Sequence, residues 1–190
     1  MSSHSSIETT SELTNRTTLH ANFLVIDKLG VLIMGEPNIG KSELTLALLD
    51  RGHQMVCDDV VDVVYKNNQL IGYCPSVSYG YILISSVGMV DVPKLFGLNK
   101  VIARYEINLI ITLIKLEGKL ETVDPLNPVS QEETILGITI PKIIFPINAV
   151  RNLSLSLLIE TLVRNQGLKK EGYDPSVNFT AVSCERSAFK

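Results

Sequence analysis

A chain of 190 residues, 45% hydrophobic and 19% charged, carries enough apolar material for one packed domain and too little charge to remain unfolded. A formal net charge of −3, with no cluster of Lys and Arg, argues against a nucleic-acid partner, because phosphate contacts need a basic face. The cysteines Cys57, Cys74 and Cys184 have no paired spacing, which argues against a disulfide framework or a zinc site and for reduced thiols.

Residues 1–17 are rich in Ser and Thr and are expected to form a disordered arm; they contain no apolar stretch that reads as a signal peptide. The greasiest run, 107–116, is interrupted by Asn108, Thr112 and Lys115, so no membrane span is expected and the protein reads as cytoplasmic. The domain is expected over 18–175, with 176–190 as a tail. Its first strand is expected at 19–26, a tight turn at 27–30 and an apolar strand at 31–34. A loop over 35–40 leads into a helix at 41–51, with Leu44, Ala47 and Leu48 on one face and Gly52 as its stop. A short strand at 54–57 follows. Strands at 62–66 and 69–73 flank Asn67-Asn68, a hairpin signal because Asn tolerates positive φ. Further strands are expected at 81–85 and 108–114, with a helical turn at 93–97. A long surface loop is expected over 117–133, then strands at 134–140 and 142–145. Leu155, Leu158, Ile159 and Leu162 share a helical face, which predicts a core-facing helix over 148–165. The order implies an α/β fold with a mixed sheet.

The segment Gly35, Glu36, Pro37, Asn38, Ile39, Gly40, Lys41, Ser42 meets the pattern G-x-x-x-x-G-K-[ST]. The glycines let the backbone turn so that N–H groups converge on phosphate oxygens, and the helix start adds further donors. Lys41 is placed to reach β- and γ-phosphates, and the Ser42 hydroxyl to ligate Mg²⁺. An apolar strand before the loop and an amphipathic helix after it give the motif its proper setting, a P-loop for the phosphates of a nucleoside triphosphate, and ATP with Mg²⁺ is the expected ligand.

A strand that follows this helix by a short crossover runs parallel to the one before it, so its C-terminal end opens on the same edge as the loop. Asp58 and Asp59 sit there: one carboxylate can take a proton from an attacking hydroxyl, the other can hold Mg²⁺ through water. If Ile26 pairs with Val31, His20 falls near Pro37, beside the loop. His53 reads as an ordinary residue between helix and strand.

These residues, in this order, resemble the catalytic domain of the HPr kinase/phosphorylase family. The likeness runs from Leu19 to Asp174 through LHANFLVIDKLGVLIMGEPNIGKSELTLALLDRGH, CDDVVDV, VGMVDVPKLFG, LGITIPKIIFP, RNLSLSLLIE and EGYD. The resemblance implies a P-loop nucleotide-binding fold, ATP and Mg²⁺ as cofactors, a serine of the phosphocarrier HPr as acceptor, phosphorolysis in reverse, and a homo-oligomer, in that family a hexamer. By position it implies that His20 is the active-site histidine, Lys41 the phosphate lysine and Ser42 a Mg²⁺ ligand. Asp58 is the proton acceptor, and Arg151 belongs to a segment tied to phosphorolysis. Asp59 is the second metal candidate. Two positions depart from the family pattern: Leu83 stands where a metal-binding glutamate is usual, and Pro125 where an arginine is.

Overall fold

The computed structural model describes residues 15–115, 130–147 and 154–180. The chain runs through β1 (Arg16–His20), β2 (Asn22–Ile26), β3 (Leu29–Gly35), α1 (Lys41–Asp50), β4 (Gln54–Cys57), β5 (Val60–Lys66) and β6 (Gln69–Tyr73). It continues through β7 (Tyr81–Ile84), β8 (Gly88–Asp91), α2 (Val92–Phe96), β9 (Arg104–Glu106) and β10 (Leu109–Ile114), then β11 (Ser130–Ile135), β12 (Ile138–Pro146) and α3 (Leu155–Lys170).

A six-stranded mixed sheet, in the order β11-β12-β10-β3-β2-β4, forms the middle layer. Strand β10 runs parallel to both β3 and β12, while β2 is antiparallel to β3 and to β4. Hence β4 runs in the same direction as β3, with β2 between them. Along β2 and β3 the side chains alternate between two cores, as the pleat requires. Phe23, Val25 and Leu32 face a four-stranded sheet, β1-β5-β6-β9, whose Val61, Val63 and Leu70 meet them. Leu24, Ile26, Val31 and Ile33 face α1 and α3, where Leu44, Leu48, Ile159 and Val163 close the other core. All of β2 is buried because both of its faces are covered. A third cluster, with Leu49, Met55, Ile82 and Val92, seats the β7–β8 hairpin. Among the described residues no helix is long and apolar enough to cross a membrane.

The Asn67-Asn68 hairpin forms, with φ of 52° and 61° at the two residues. Several boundaries differ from expectation. The strand expected over 19–26 is two strands in different sheets, because the chain turns out of one sheet at Ala21. The strand expected over 134–140 is a hairpin, with Leu136 and Gly137 at positive φ. Ser130–Ile135, partly assigned to a surface loop, is β11. The last helix starts at Leu155 and runs to Lys170; its buried residues are Ser156, Ile159, Glu160 and Val163. The stripe therefore includes a carboxylate that an apolar pattern does not reveal.

That carboxylate ties three elements together. Arg51, at the end of α1, donates to Glu160 at 2.5 Å, and Arg164 bridges Glu160 to Asp27 in the β2–β3 turn. His53 is buried 3.5 Å from Glu160, and burial holds its imidazole below the usual histidine range. It is a core histidine rather than an ordinary linker residue.

Gly72 of β6 sets how closely the two sheets approach. A methyl group there would lie 2.5 Å from the fully buried Phe23 ring and 3.1 Å from Val61. Gly72→Ala is expected to cost about 1–3 kcal/mol, the usual penalty for overpacking. Urea unfolding measures it as a lower midpoint at unchanged slope; a loss below about 0.5 kcal/mol, the usual size of a neutral surface change, would contradict this account of sheet spacing.

Candidate active site at the phosphate loop

Strand direction brings the candidate residues to one edge of the middle sheet. The C-terminal ends of β3 and β4 lie there with the N-terminal end of β2, so Gly35, Asp58 and Asn22 become neighbours. Gly35 leaves β3 with φ of 147°, and a side chain at that point would lie 2.8 Å from the Leu113 carbonyl. Only glycine lets the loop start so close to β10. Asn38 adopts φ of 61°, and Ile39, almost fully buried, pins the loop to the helix-side core. Gly40 caps α1 without any side-chain hydrogen bond, which leaves the first helical N–H groups free to meet an anion. The Lys41 ammonium folds back onto the carbonyls of Gly35 and Glu36, at 2.9 and 3.0 Å.

Asp58 lies deepest. Its carboxylate accepts from the Ser42 hydroxyl at 3.0 Å (Oδ1) and 3.2 Å (Oδ2), and Oδ1 also accepts from the Asn22 amide. Burial pushes the Asp58 carboxyl up to about 6, against the hydrogen bonds from Ser42, the Leu83 backbone and Asn22, which favour the ionised form. Asn22 is the residue that sequence reasoning missed. It is 1% exposed, donates also to Thr45 at 2.9 Å, and accepts from the Asp59 backbone N–H at 3.4 Å. Thr45 in turn donates to the Lys41 carbonyl at 3.0 Å. The available signal was one amide in NFLVI, a stretch otherwise wholly apolar.

Asp59 takes φ of 72°, which turns its side chain away from Ser42. It is exposed and meets His20, whose Nδ1 lies 3.3 Å from the carboxylate and 2.7 Å from the Asp59 carbonyl. The structure therefore brings together Ser42 and Asp58, and separately His20 and Asp59, but does not bring Asp59 to Ser42. The expected pairing of Ile26 with Val31 is corrected: Ile26 pairs with Leu29, and β2 begins at Asn22, opposite Ile33. His20 belongs to β1 and pairs with Val60, so it reaches this edge from the other sheet.

A hydroxyl and a carboxylate converging beside an open helix start fit Mg²⁺, which takes few protein oxygens and fills its shell with water and phosphate. Among the described residues no group of three or more His, Cys, Asp or Glu side chains converges. Beyond Asp58 a cavity of about 430 Å³ opens, lined by Val77, Ser78, Tyr81, Leu83 and Met89. The Leu83 side chain lines it, 62% exposed, and a hydrocarbon there offers no oxygen to a metal. Arg151 and Pro125 lie outside the described residues.

The sequence profile of the HPr Serine kinase C-terminal domain matches residues 11–183. The chain belongs to the HPr serine kinase C-terminal domain family. Within that family it is 37% identical over 165 residues to the HPr kinase/phosphorylase of Chromobacterium violaceum, covering 86% of this chain and 51% of that protein. It is 32% identical over 165 residues to the HPr kinase/phosphorylase of Malacoplasma penetrans, covering 87% and 54%. The chain thus spans about half the length of the curated relatives it matches. The Hpr(Ser) kinase/phosphatase of Coxiella burnetii superposes with a TM-score of 0.75 at 62% identity, covering 82% of this chain and 99% of that one. The P-loop α/β reading with a mixed sheet agrees with these family relations.

The raised carboxyl of Asp58 has a stability consequence in metal-free buffer. A carboxyl held above its unfolded value favours folding while protonated, and that contribution is lost as pH rises through about 6. Asp58→Asn, which mimics the protonated acid, is expected to be more stable than wild type by about 1–3 kcal/mol at pH 8. The difference should vanish below about pH 4, where the acid is protonated in both states. Equal stability at pH 8 would contradict the desolvation of this site.

Proposed function

We propose that this chain is an ATP- and Mg²⁺-dependent protein serine kinase that phosphorylates an HPr-like phosphocarrier and catalyses phosphorolysis in reverse. The observation that carries the reading is the Asp58 carboxylate held 3.0 Å from the Ser42 hydroxyl at the start of the phosphate-loop helix. In this reading Lys41 leaves the Gly35 and Glu36 carbonyls to bind β- and γ-phosphates of ATP, which the loop N–H groups cradle from Gly35 to Ser42. Ser42, with Asp58 beside it, would hold Mg²⁺, which would supply charge neutralisation for the transferred group. Asn22 ties down Oδ1 of Asp58; Oδ2, once Ser42 turns its hydroxyl away to the metal, takes the proton of the attacking serine hydroxyl. In reverse the same atom returns it to the leaving oxygen. His20 and Asp59 stand at the rim, where the acceptor arrives, and Asp59 is the second carboxylate available to the metal site. Arg151 is assigned to phosphorolysis on the family likeness alone.

The relatives named HPr kinase/phosphorylase support HPr as the acceptor. Exposed apolar side chains at Val87, Met89, Leu95 and Leu98 support a homo-oligomer, a hexamer by family likeness. The setting proposed is the cytoplasm. One observation favours a second reading, a nucleotide sensor without transfer: the hydrocarbon of Leu83 beside Asp58.

Two substitutions separate binding from chemistry. Lys41→Ala should weaken Mg·ATP binding by about 1.5–3 kcal/mol, the worth of a hydrogen bond to a charged group. Asp58→Asn should keep nucleotide affinity and lose about 10²–10⁴ in transfer rate to HPr. Calorimetry and a phosphoserine assay read the two effects. An Asn variant that transfers at the wild-type rate would remove Asp58 from the mechanism.

A further inference from the structure

We propose that Asn22 is the positioning residue of this active edge: one buried amide aims Asp58 at the phosphate loop and holds Asp59 facing outward, so that phosphoryl transfer depends on it and nucleotide binding does not. The placement stands on its own geometry; its effect on transfer rests on the function proposed above.

Residues 20–22 carry the chain from one sheet to the other, and in passing they grip the two aspartates. The Ala21 N–H donates to the Asp59 carbonyl at 3.0 Å, and His20 Nδ1 lies 2.7 Å from the same oxygen. Asn22 takes the other side of that residue, its Oδ1 accepting from the Asp59 N–H at 3.4 Å. Asp59 is thus held at both its N–H and its carbonyl in a left-handed conformation, φ 72°, which a residue with a side chain seldom adopts unaided. The Asn22 Nδ2 group uses both of its hydrogens as well, one on Asp58 Oδ1 and one on Thr45 Oγ1. Asn22, Thr45 and Asp58 are all buried, so the amide sits in a polar knot closed off from solvent.

The knot matters most during transfer. At rest two side chains donate to Asp58, those of Ser42 and Asn22. When Ser42 turns its hydroxyl to the metal, Asn22 is the side chain among the described residues that still donates to the carboxylate. Rotation of an aspartate about its last torsion is soft, so a carboxylate without that bond has no fixed heading. Misplacement of a reacting group by about 1 Å is enough to cost about 10²-fold in rate. Nucleotide binding has no such dependence. The Lys41 ammonium bonds to Gly35 and Glu36, not to Asn22, and Asn22 reaches the loop only through Thr45 and the Lys41 carbonyl.

The test crosses Asn22→Leu, which is close in size and has no donor, with Asp58→Asn in the full chain. With Asp58 intact, Asn22→Leu should lower kcat for transfer to HPr about 10²-fold, while the Kd for Mg·ATP stays unchanged. In the Asp58→Asn chain it should add no further loss, because a residue that acts through Asp58 then has nothing left to position. Thr45→Val, which removes one partner of the amide, should repeat the pattern with a smaller loss, and it carries the test if Asn22→Leu does not fold. Equal slowing in both backgrounds, a loss of Mg·ATP affinity that matches the loss in kcat, or transfer at the wild-type rate would overturn the proposal. Amide hydrogen exchange supplies a readout that needs no transfer. In Asn22→Leu the Asp59 amide should lose protection while Leu24 and Val25 of β2 keep theirs. A wild-type chain that binds ATP but transfers nothing would refute the function above; the Asp59 amide would then decide the positioning by itself, and unchanged protection there would overturn it.

Discussion

A carboxylate buried among apolar strands keeps its place only while donors reach it, and the arrangement of this molecule's active edge follows from supplying donors to Asp58. Ser42 comes from the phosphate loop, Asn22 from the middle sheet and the Leu83 backbone from the β7–β8 hairpin. Three pieces distant in sequence therefore meet at one carboxylate. The same bonds set the distance between the phosphate loop and the strand that follows it. Asn22 extends the network through Thr45 to the backbone of Lys41, so Lys41 and the carboxylate share a frame.

The arrangement has a cost that the rest of the fold offsets. Burial opposes ionisation of Asp58, and Asp59 adopts a left-handed backbone, unfavourable for a residue with a side chain by roughly 1 kcal/mol. Two large cores on opposite faces of the middle sheet hold that edge against these penalties. Strain and desolvation gathered at one edge of an otherwise consistent fold mark a site rather than a defect. The cluster around Glu160 has a different purpose: it clamps α3 to α1 and the β2–β3 turn at the far end of the same helix.

Much of this was legible in the sequence where the pattern is local. The phosphate loop, the Asn67-Asn68 hairpin and the apolar strands β3, β4 and β10 follow from residue spacing, and the direction of β4 from crossover geometry. What was not legible depends on contacts between distant segments. The break at Ala21 hides inside an unbroken apolar run, because β1 and β2 bury their side chains in different sheets. The register of the β2–β3 hairpin was off by two residues, and His20 lies outside that hairpin, although it does arrive at the same edge from the other sheet. Asn22 looked like an imperfection in a strand until its partners across the fold were seen. Adjacent aspartates look alike in sequence; a positive φ at the second sends one inward to Ser42 and the other outward to His20.

The central claim is that this edge moves a phosphoryl group rather than only holding nucleotide. Its most direct test is a mass measurement on HPr after incubation with the wild-type chain, ATP and Mg²⁺. The account predicts a single added phosphoryl group on a serine of HPr, one ADP for each group transferred, and loss of that group when inorganic phosphate replaces ATP. Unmodified HPr in the presence of chain that has demonstrably bound Mg·ATP would contradict it.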